Sequence, residues 1–447
     1  MASGRTSDMT TGDSLRKILL FALPLFIGTM FQQVYNLVDT VIAGHILGDS
    51  AVAAIGATSA LYSVVLYFAV GLNSGYGIIV ARAYGKKDIT KLKSAFAAML
   101  TLNVGITALL TATALPLLGK LLRLLDTPED IFSQAHEYIF IIFAGLIATI
   151  LYNMCAGFLR AVGNSRTPLY FLILSCGINS LLDWIFIAKL GLGVAGAAYA
   201  TLIATVVSAV AGFLYIVRTY PDYLPGLADF RPDGELMREM LSTGLSMALM
   251  NSVFALGSII LQKAINLLGT PLITAHTASR KIYDFLMMPL STIATATATF
   301  TSQNFGAGKM DRITAAIKKV LVIGIAWSLF SAALSITAGK PLIALILGTT
   351  DDTVISNGYL NLTLSTLFFF PLCVLLVMRM SMQSMGYKVT PVISSTIELA
   401  AKILSGMWFV PRYGYKAVAV TEPITWVLCA VFLVLIYRTT YRKKLML

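Results

Sequence analysis

The stretch that decides the fold is LLFALPLFIGTMFQQVYNLVDTVIAGHIL, residues 19–47. It contains no Lys or Arg and is long enough to cross a bilayer as a helix, which takes about 20 apolar residues. Asp39 lies well inside it. A carboxylate in hydrocarbon is costly unless it is protonated, paired or bound to a cation. We therefore interpret Asp39 as a functional residue; the alternative is a protonated acid that hydrogen-bonds a neighbouring helix.

The composition indicates a polytopic membrane protein. Of the 447 residues, 57% are hydrophobic and 12% are charged, whereas soluble domains carry about 25% charged residues. The net charge of +12 does not point to nucleic acid, because in a membrane protein its meaning depends on where the cations lie. The four cysteines lie in apolar segments without metal or redox spacing, which favours buried free thiols. Residues 1–14 are polar and predict a short cytoplasmic lead-in, not a signal peptide.

Apolar segments bounded by polar or Gly/Pro turns predict an all-α membrane protein with twelve transmembrane helices. Pro24 lies inside the first segment and predicts a helix bend, because proline removes a helical hydrogen bond. The predicted spans are 15–47, 51–82, 94–119, 131–160, 168–189, 193–218, 236–268, 271–304, 313–339, 354–384, 390–410 and 414–437.

Positive charge predicts the orientation of these helices. Most Lys and Arg residues fall in loops on the side of the N-terminus. The opposite side holds only Lys120, Arg123, Lys189, Lys340, Arg412 and Lys416. Because cytoplasmic loops are enriched in Lys and Arg, both termini are predicted to be cytoplasmic, in the inner (cytoplasmic) membrane of the cell.

The two halves of the chain repeat each other. At a constant offset, Tyr62 matches Tyr283 and Gly85 matches Gly306; later, Gly191 matches Gly414. Six helices per half make the repeat parallel, which is typical of transporters with a substrate path between two lobes. We predict an N-lobe at 15–218, a cytoplasmic loop at 219–235, a C-lobe at 236–437 and a basic cytoplasmic tail at 438–447.

The acids within the first half have no basic partner inside its spans. Asn179 and Asp183 are four residues apart and share a helix face. With Asn36 and Asp39 on the first helix, they bring together two carboxylates and amide oxygens. Such a site shares a proton or binds a cation such as Na⁺. The residues alone therefore predict a cation-coupled transporter.

The second half carries acids and bases together. Arg280 with Asp284, and Glu398 with Lys402, are each four residues apart and predict pairs on one helix face. We interpret them as a structural or gating network. The predicted network consists of Lys263, Arg280, Asp284, Glu398 and Lys402.

Several motifs resemble the multidrug and toxic compound extrusion (MATE) transporters, and the resemblance covers essentially the whole chain. These motifs are Leu23-Pro24, NLVDTVIAG at 36–44, ARAYG at 81–85, GFLRAVGN at 157–164, GAAYAT at 196–201, QNFGAG at 303–308 and Glu422-Pro423-Ile424. The resemblance implies an alternating-access antiporter that exports amphipathic, often cationic compounds in exchange for H⁺ or Na⁺, without another cofactor.

In one branch of the family, the cation site lies on a first-helix Asp, a fifth-helix Asn and Asp, and a sixth-helix Thr. The matching residues are Asp39, Asn179, Asp183 and Thr201; with Na⁺ as the coupling ion, these are its implied ligands. Other members carry acids on helices 7 and 10, where this chain has Lys263 and Arg379. The resemblance therefore favours coupling in the first half and the DinF-like branch.

Substrate contacts are predicted from side-chain chemistry. Aromatic, amide and thioether groups suit a promiscuous cavity for amphipathic small molecules. The candidates are Tyr35, Tyr138, Asn153, Met154 and Phe158. We expect a monomer in the lipid bilayer, with no nucleic acid partner.

Three other functions are weighed against drug export. A flippase for a lipid-linked saccharide needs a basic cavity, for which Lys263, Arg280, Lys281 and Arg379 are available. An enzyme is not favoured, because the three histidines lie on separate segments and neither HExxH nor GxSxG occurs. A channel is not favoured, because symmetric filter motifs are absent from the sequence.

Overall fold

A computed structural model describes residues 7–231 and 233–441, and for residues 36–43, 49, 440 and 441 it describes the backbone alone. Within these residues all regular structure is helical. The first half contains α1 Ser14–Leu47, α2 Asp49–Lys86, α3 Ile89–Leu124, α4 Glu129–Ala144, α5 Leu146–Ala161, α6 Arg166–Asp183 and α7 Gly193–Thr219. The second half contains α8 Gly234–Asn266, α9 Thr270–Gly306, α10 Met310–Leu347, α11 Asp352–Leu367, α12 Phe369–Ser384, α13 Val389–Leu404, α14 Val410–Tyr413 and α15 Tyr415–Ile436.

Nine helices among the described residues are long and apolar enough to cross a membrane. The pair α4 and α5 bends by 49° and the pair α11 and α12 by 51°, and counting each pair as one span gives eleven. The spans predicted at 131–160 and 354–384 are therefore broken helices. Helix α9 is long enough but not apolar enough to be counted with them, so the total of twelve transmembrane helices stays a prediction.

Packing divides the chain into two compact units. The first unit comprises Met1–Asp8 and Leu23–Ala248, and the second comprises Met9–Ala22 and Leu249–Leu447. The core of the first unit includes Phe96 and Phe158, whose rings stack at 4.3 Å. A core cluster of the second unit surrounds Ile265 and Tyr415.

Pro24 lies within α1, which belongs to the first unit from Leu23 onward. Its side chain is buried. One turn later, a Cβ atom on Gly28 would contact Leu169 and Leu172 of α6 at 3.6 Å. The helix is therefore packed closely against α6 beside the proline, and the bend at Pro24 stays a prediction.

The segment before α1 is fixed to the second unit. The backbone N–H of Met9 donates to Gln303 Oε1 at 3.0 Å, and Asn304 Nδ2 donates to the Met9 carbonyl at 3.0 Å. Lys319 Nζ lies 3.0 Å from Asp13 Oδ2. The pKa of Asp13 is held below its usual value by the N–H of Arg16 and by this ammonium. Residues 9–13 therefore dock onto the end of α9 and the beginning of α10.

Helices α2 and α8 touch backbone to backbone within the first unit. A Cβ atom on Gly71 would lie 2.6 Å from the Cα atom of Ala248, and one on Gly75 would lie 2.5 Å from the Cα atom of Gly244. Small residues four apart on both helices permit this approach, which is a common way to pack helices in membranes.

We expect Gly75→Val to destabilise the protein by about 1–3 kcal/mol, because added methyl groups in a tight contact force the backbones apart. Thermal unfolding of the purified protein in detergent measures the effect. Gly105→Ala is the matched control: Gly105 is exposed within α3 with open space around its Cα atom, and alanine there adds up to about 1 kcal/mol of stability. A Gly75→Val protein that melts like wild type would contradict the close approach.

Candidate functional site

Asn179 and Asp183 lie on one face of α6, and both side chains are fully enclosed, with exposed fractions of 1% and 0%. Asp183 is the last residue of α6, and the chain continues into a wider π-helical turn at Trp184–Lys189. Turns of this kind are frequent at functional sites. A carboxylate buried to this degree needs hydrogen bonds or a counter-charge.

The amide of Asn179 joins three helices. With its oxygen toward α7, it accepts from Thr201 Oγ1 at 3.2 Å and from the Thr201 N–H at 3.0 Å. Its nitrogen then donates to Asp183 Oδ2 at 3.0 Å and to Tyr35 Oη of α1 at 2.7 Å. The opposite orientation yields one bond, from Nδ2 to Thr201 Oγ1. We adopt the first orientation because it satisfies more groups.

This polar cluster contains the buried Asn179 and Asp183 and the half-buried Tyr35 and Thr201. Its carboxylate, amide and hydroxyl oxygens are ligands that suit a hard cation, and its carboxylate also accepts a proton. The side chains of Asn36 and Asp39 lie outside the described residues, so their place in the site stays a prediction. Tyr35 was predicted to line a substrate cavity; its hydroxyl contacts the Asn179 amide and so belongs to this cluster.

The other predicted substrate residues do not gather in one cavity wall. Met154 and Phe158 are 1% and 0% exposed in the core of the first unit, which does not favour a substrate cavity there, and their assignment stays a prediction. Asn153 donates from Nδ2 to the Thr149 carbonyl of its own helix at 2.8 Å. Tyr138 is half-buried against a separate apolar cluster. Aromatic and thioether character identified these residues, but it does not tell a core face from a cavity face.

The second unit contains a continuous chain of ion pairs. Arg280 Nε lies 3.3 Å from Asp284 Oδ1, and Arg280 Nη1 lies 2.9 Å from Glu422 Oε2. Lys402 Nζ lies 3.2 Å from Glu422 Oε1 and 3.5 Å from Glu398 Oε1. Both pairs predicted from i,i+4 spacing are therefore present. Glu422 joins them, which the sequence spacing did not indicate.

The chain of ion pairs ends at Arg379 on α12. Its Nη2 lies 3.2 Å from Glu398 Oε2, and its Nε donates to Ser394 Oγ at 3.0 Å. Lys263, by contrast, is exposed near the end of α8 and forms no ion pair among the described residues, so the structure does not include it in the network. The network links α9, α12, α13 and α15 and contains as many acids as bases.

A cavity of about 1040 Å³ lies within the second unit. Its wall includes Ser405, Thr421, Phe409, Tyr413 and Lys416. Aromatic surface with a few polar groups is typical of sites for small organic ligands. The sequence did not single them out as a binding site, because the cavity wall also includes residues of α9 and α11, which only the fold brings to this segment.

The chain matches a family model described as MatE over residues 24–185 and 246–408. The probable multidrug resistance protein YpnP of Bacillus subtilis (strain 168) is 28% identical over 308 residues, 68% of this chain and 68% of the relative. The probable multidrug resistance protein NorM of Thermotoga maritima is 24% identical over 390 residues, 86% of this chain and 83% of the relative.

Solved structures share the fold over nearly the whole chain. One described as MATE in the bent conformation gives a TM-score of 0.90 at 23% identity and covers 98% of both chains. Another, described as an outward-facing multidrug resistance MATE family transporter, gives a TM-score of 0.87 at 24% identity and covers 99% of both chains.

Proposed function

Because the chain belongs to the MatE family, we propose that it exports amphipathic, often cationic compounds from the cell in exchange for H⁺ or Na⁺. The relatives named as multidrug resistance proteins support drug export and do not favour the lipid-linked saccharide flippase. The observation that carries the coupling is the buried cluster around Asp183.

The protein acts as a monomer in the cytoplasmic membrane, with both termini in the cytoplasm. Its spans are the nine apolar helices, the two broken pairs and α9, which makes twelve. Arg280, in α9, is compensated by Asp284 and Glu422, which supports the insertion of this more polar helix. The lobes are 15–218 and 236–437, joined by the loop at 219–235.

The coupling ion binds Asp183 together with Asp39. Two carboxylates at one buried site either share a proton or take up a cation, because two unbalanced negative charges are costly there. Thr201 supplies a further oxygen. Asn179 adds its amide oxygen when the amide turns from the orientation described above, in which its nitrogen faces Asp183. Tyr35 transmits the state of the site to α1, since its hydroxyl bonds the Asn179 amide. Pro24 is the place where α1 bends, because its ring interrupts the hydrogen-bond ladder.

Ion binding therefore favours one packing of α1, and ion release favours another. A ligand shifts such an equilibrium only through its different affinity for the two states. Alternating access follows when the outward-facing state takes up the ion and releases the drug, and the inward-facing state does the reverse.

Transport in proteoliposomes tests the proposal. A fluorescent cationic amphiphile is the probe, and a pH gradient and a Na⁺ gradient are imposed separately. We expect uphill movement of the probe with one of the two gradients and its loss when a matching ionophore collapses that gradient. A transport rate of the probe that does not depend on either gradient would refute ion coupling.

A further inference from the structure

The repeat pairs Asn179 of the first half with Lys402 of the second. Gly163 and Gly386 adopt positive φ angles of 85° and 93°, and Gly191 and Gly414 adopt 63° and 59°. The two pairs of glycines flank equivalent helices and are separated by the same number of residues. The same separation in residue number aligns Asn179 with Lys402. The correspondence therefore rests on backbone conformation as well as on sequence.

The local structure repeats around these two residues. Asn179 is followed by the π-helical turn Trp184–Lys189, and Lys402 by the π-helical turn Ser405–Phe409. Each side chain reaches the last long helix of its own half. Asn179 meets Thr201 of α7 at 3.2 Å, and Lys402 meets Glu422 of α15 at 3.2 Å. One intramembrane polar position thus occurs in both halves, with an amide in the first and an ammonium in the second.

Lys402 is surrounded as a bound cation would be. Its side chain is 1% exposed, and its ammonium contacts carboxylate oxygens of Glu398 and Glu422. The same ammonium lies 4.7 Å from the ring centroid of Phe254, a cation–π contact. The two carboxylates hold the ammonium in place by charge.

The charge balance of the network depends on this ammonium. Arg280 and Arg379 occupy the other sides of the two glutamates, and Asp284 pairs with Arg280. Removing the Lys402 charge would leave one negative charge without a counter-charge in a buried region, and an uncompensated buried charge is strongly destabilising.

We propose that Glu398 and Glu422 form a monovalent-cation site in the second half, and that the Lys402 ammonium is its permanent occupant. The first half takes up an ion from solution and releases it. In the second half the cation is a side chain of the protein itself, the Lys402 ammonium. Only the first half then exchanges ions, and the second keeps a constant charge. The site itself does not depend on which compound is transported.

Chemical rescue tests the site. Lys402→Ala in the full chain removes the ammonium and leaves space for a small alkylammonium ion. We expect the purified variant to melt at a lower temperature than wild type in detergent. Propylammonium or butylammonium should then restore most of the loss in a saturable manner, whereas the bulkier tetraethylammonium should not. Wild type should show no such gain.

Lys120→Ala is the control, because Lys120 is exposed near the end of α3 and forms no ion pair among the described residues. It should melt like wild type with or without the amines. The proposal would be overturned if no primary alkylammonium raised the melting temperature of a folded Lys402→Ala protein. It would also be overturned if the melting temperature of wild type rose by an equal amount.

A second variant covers the case in which Lys402→Ala does not fold. Lys402→Asn introduces the amide of the first half, and it is made in an Asp183→Asn background so that the first site does not contribute. The Asp183→Asn single variant, which keeps Lys402, is the comparison. We expect Na⁺ or propylammonium to raise the melting temperature of the Lys402→Asn protein alone. An absent difference, or failure of both Lys402 variants to fold even when purified with these ions, would show that no exchangeable cation replaces the ammonium.

Discussion

Replacing Asp183 with asparagine should abolish ion-coupled export while leaving the protein folded. The carboxylate is fully buried and accepts a hydrogen bond from the Asn179 amide. Because water does not solvate its charge, the carboxylate binds a proton or a cation. Asparagine has the same shape but neither binds a proton nor attracts a cation. The hydrogen bonds reform between neutral groups, at a cost of about 1 kcal/mol. Proteoliposome efflux with each imposed gradient measures the loss.

Asp130→Asn is a suitable control, because Asp130 is exposed in the first turn of α4. Its transport should equal that of wild type. If Asp183→Asn moved the probe uphill at the wild-type rate, the ion would bind elsewhere, and the role proposed for the first-half cluster would be wrong.

Replacing Glu422 with glutamine should destabilise the second unit by about 3–5 kcal/mol, because it removes the acid shared by two buried cations. Arg280 Nη1 and Lys402 Nζ both lie within 3.2 Å of this carboxylate, and the lysine is almost completely enclosed. Thermal unfolding in detergent is the measurement.

Asp284→Asn serves as the comparison for this network. Its side chain is 43% exposed and contacts Arg280 alone among the ion pairs described above, so its loss should cost less than about 1 kcal/mol. If the Glu422 and Asp284 substitutions lowered the stability by equal amounts, Glu422 would contribute no more to the network than an acid with a single partner.

Local geometry explains which contacts the sequence predicted. Arg280 and Asp284, or Glu398 and Lys402, are neighbours in any α-helix, because residues four apart share a face. The link from Lys402 to Glu422 crosses between α13 and α15, and its distance depends on how those helices pack. No spacing along the chain contains that information.

The same limit applies to the residues predicted to contact substrate. Phe158 is aromatic in a cavity and in a core alike, and only its packing against Phe96 shows that it belongs to the core. Tyr35 lies beside Asn36 in the sequence, but its contact with the Asn179 amide depends on how α1 packs against α6. The break between α4 and α5 falls at Gly145, where no proline marks it and where the side chain of Leu202 fills the space a Cβ atom would need.

The docking of residues 9–13 has a practical consequence for anyone who purifies this protein. Met9 is completely buried, and its two backbone groups are both bonded to the end of α9. A label or a protease site inserted within residues 9–13 would break bonds that are part of the folded second unit.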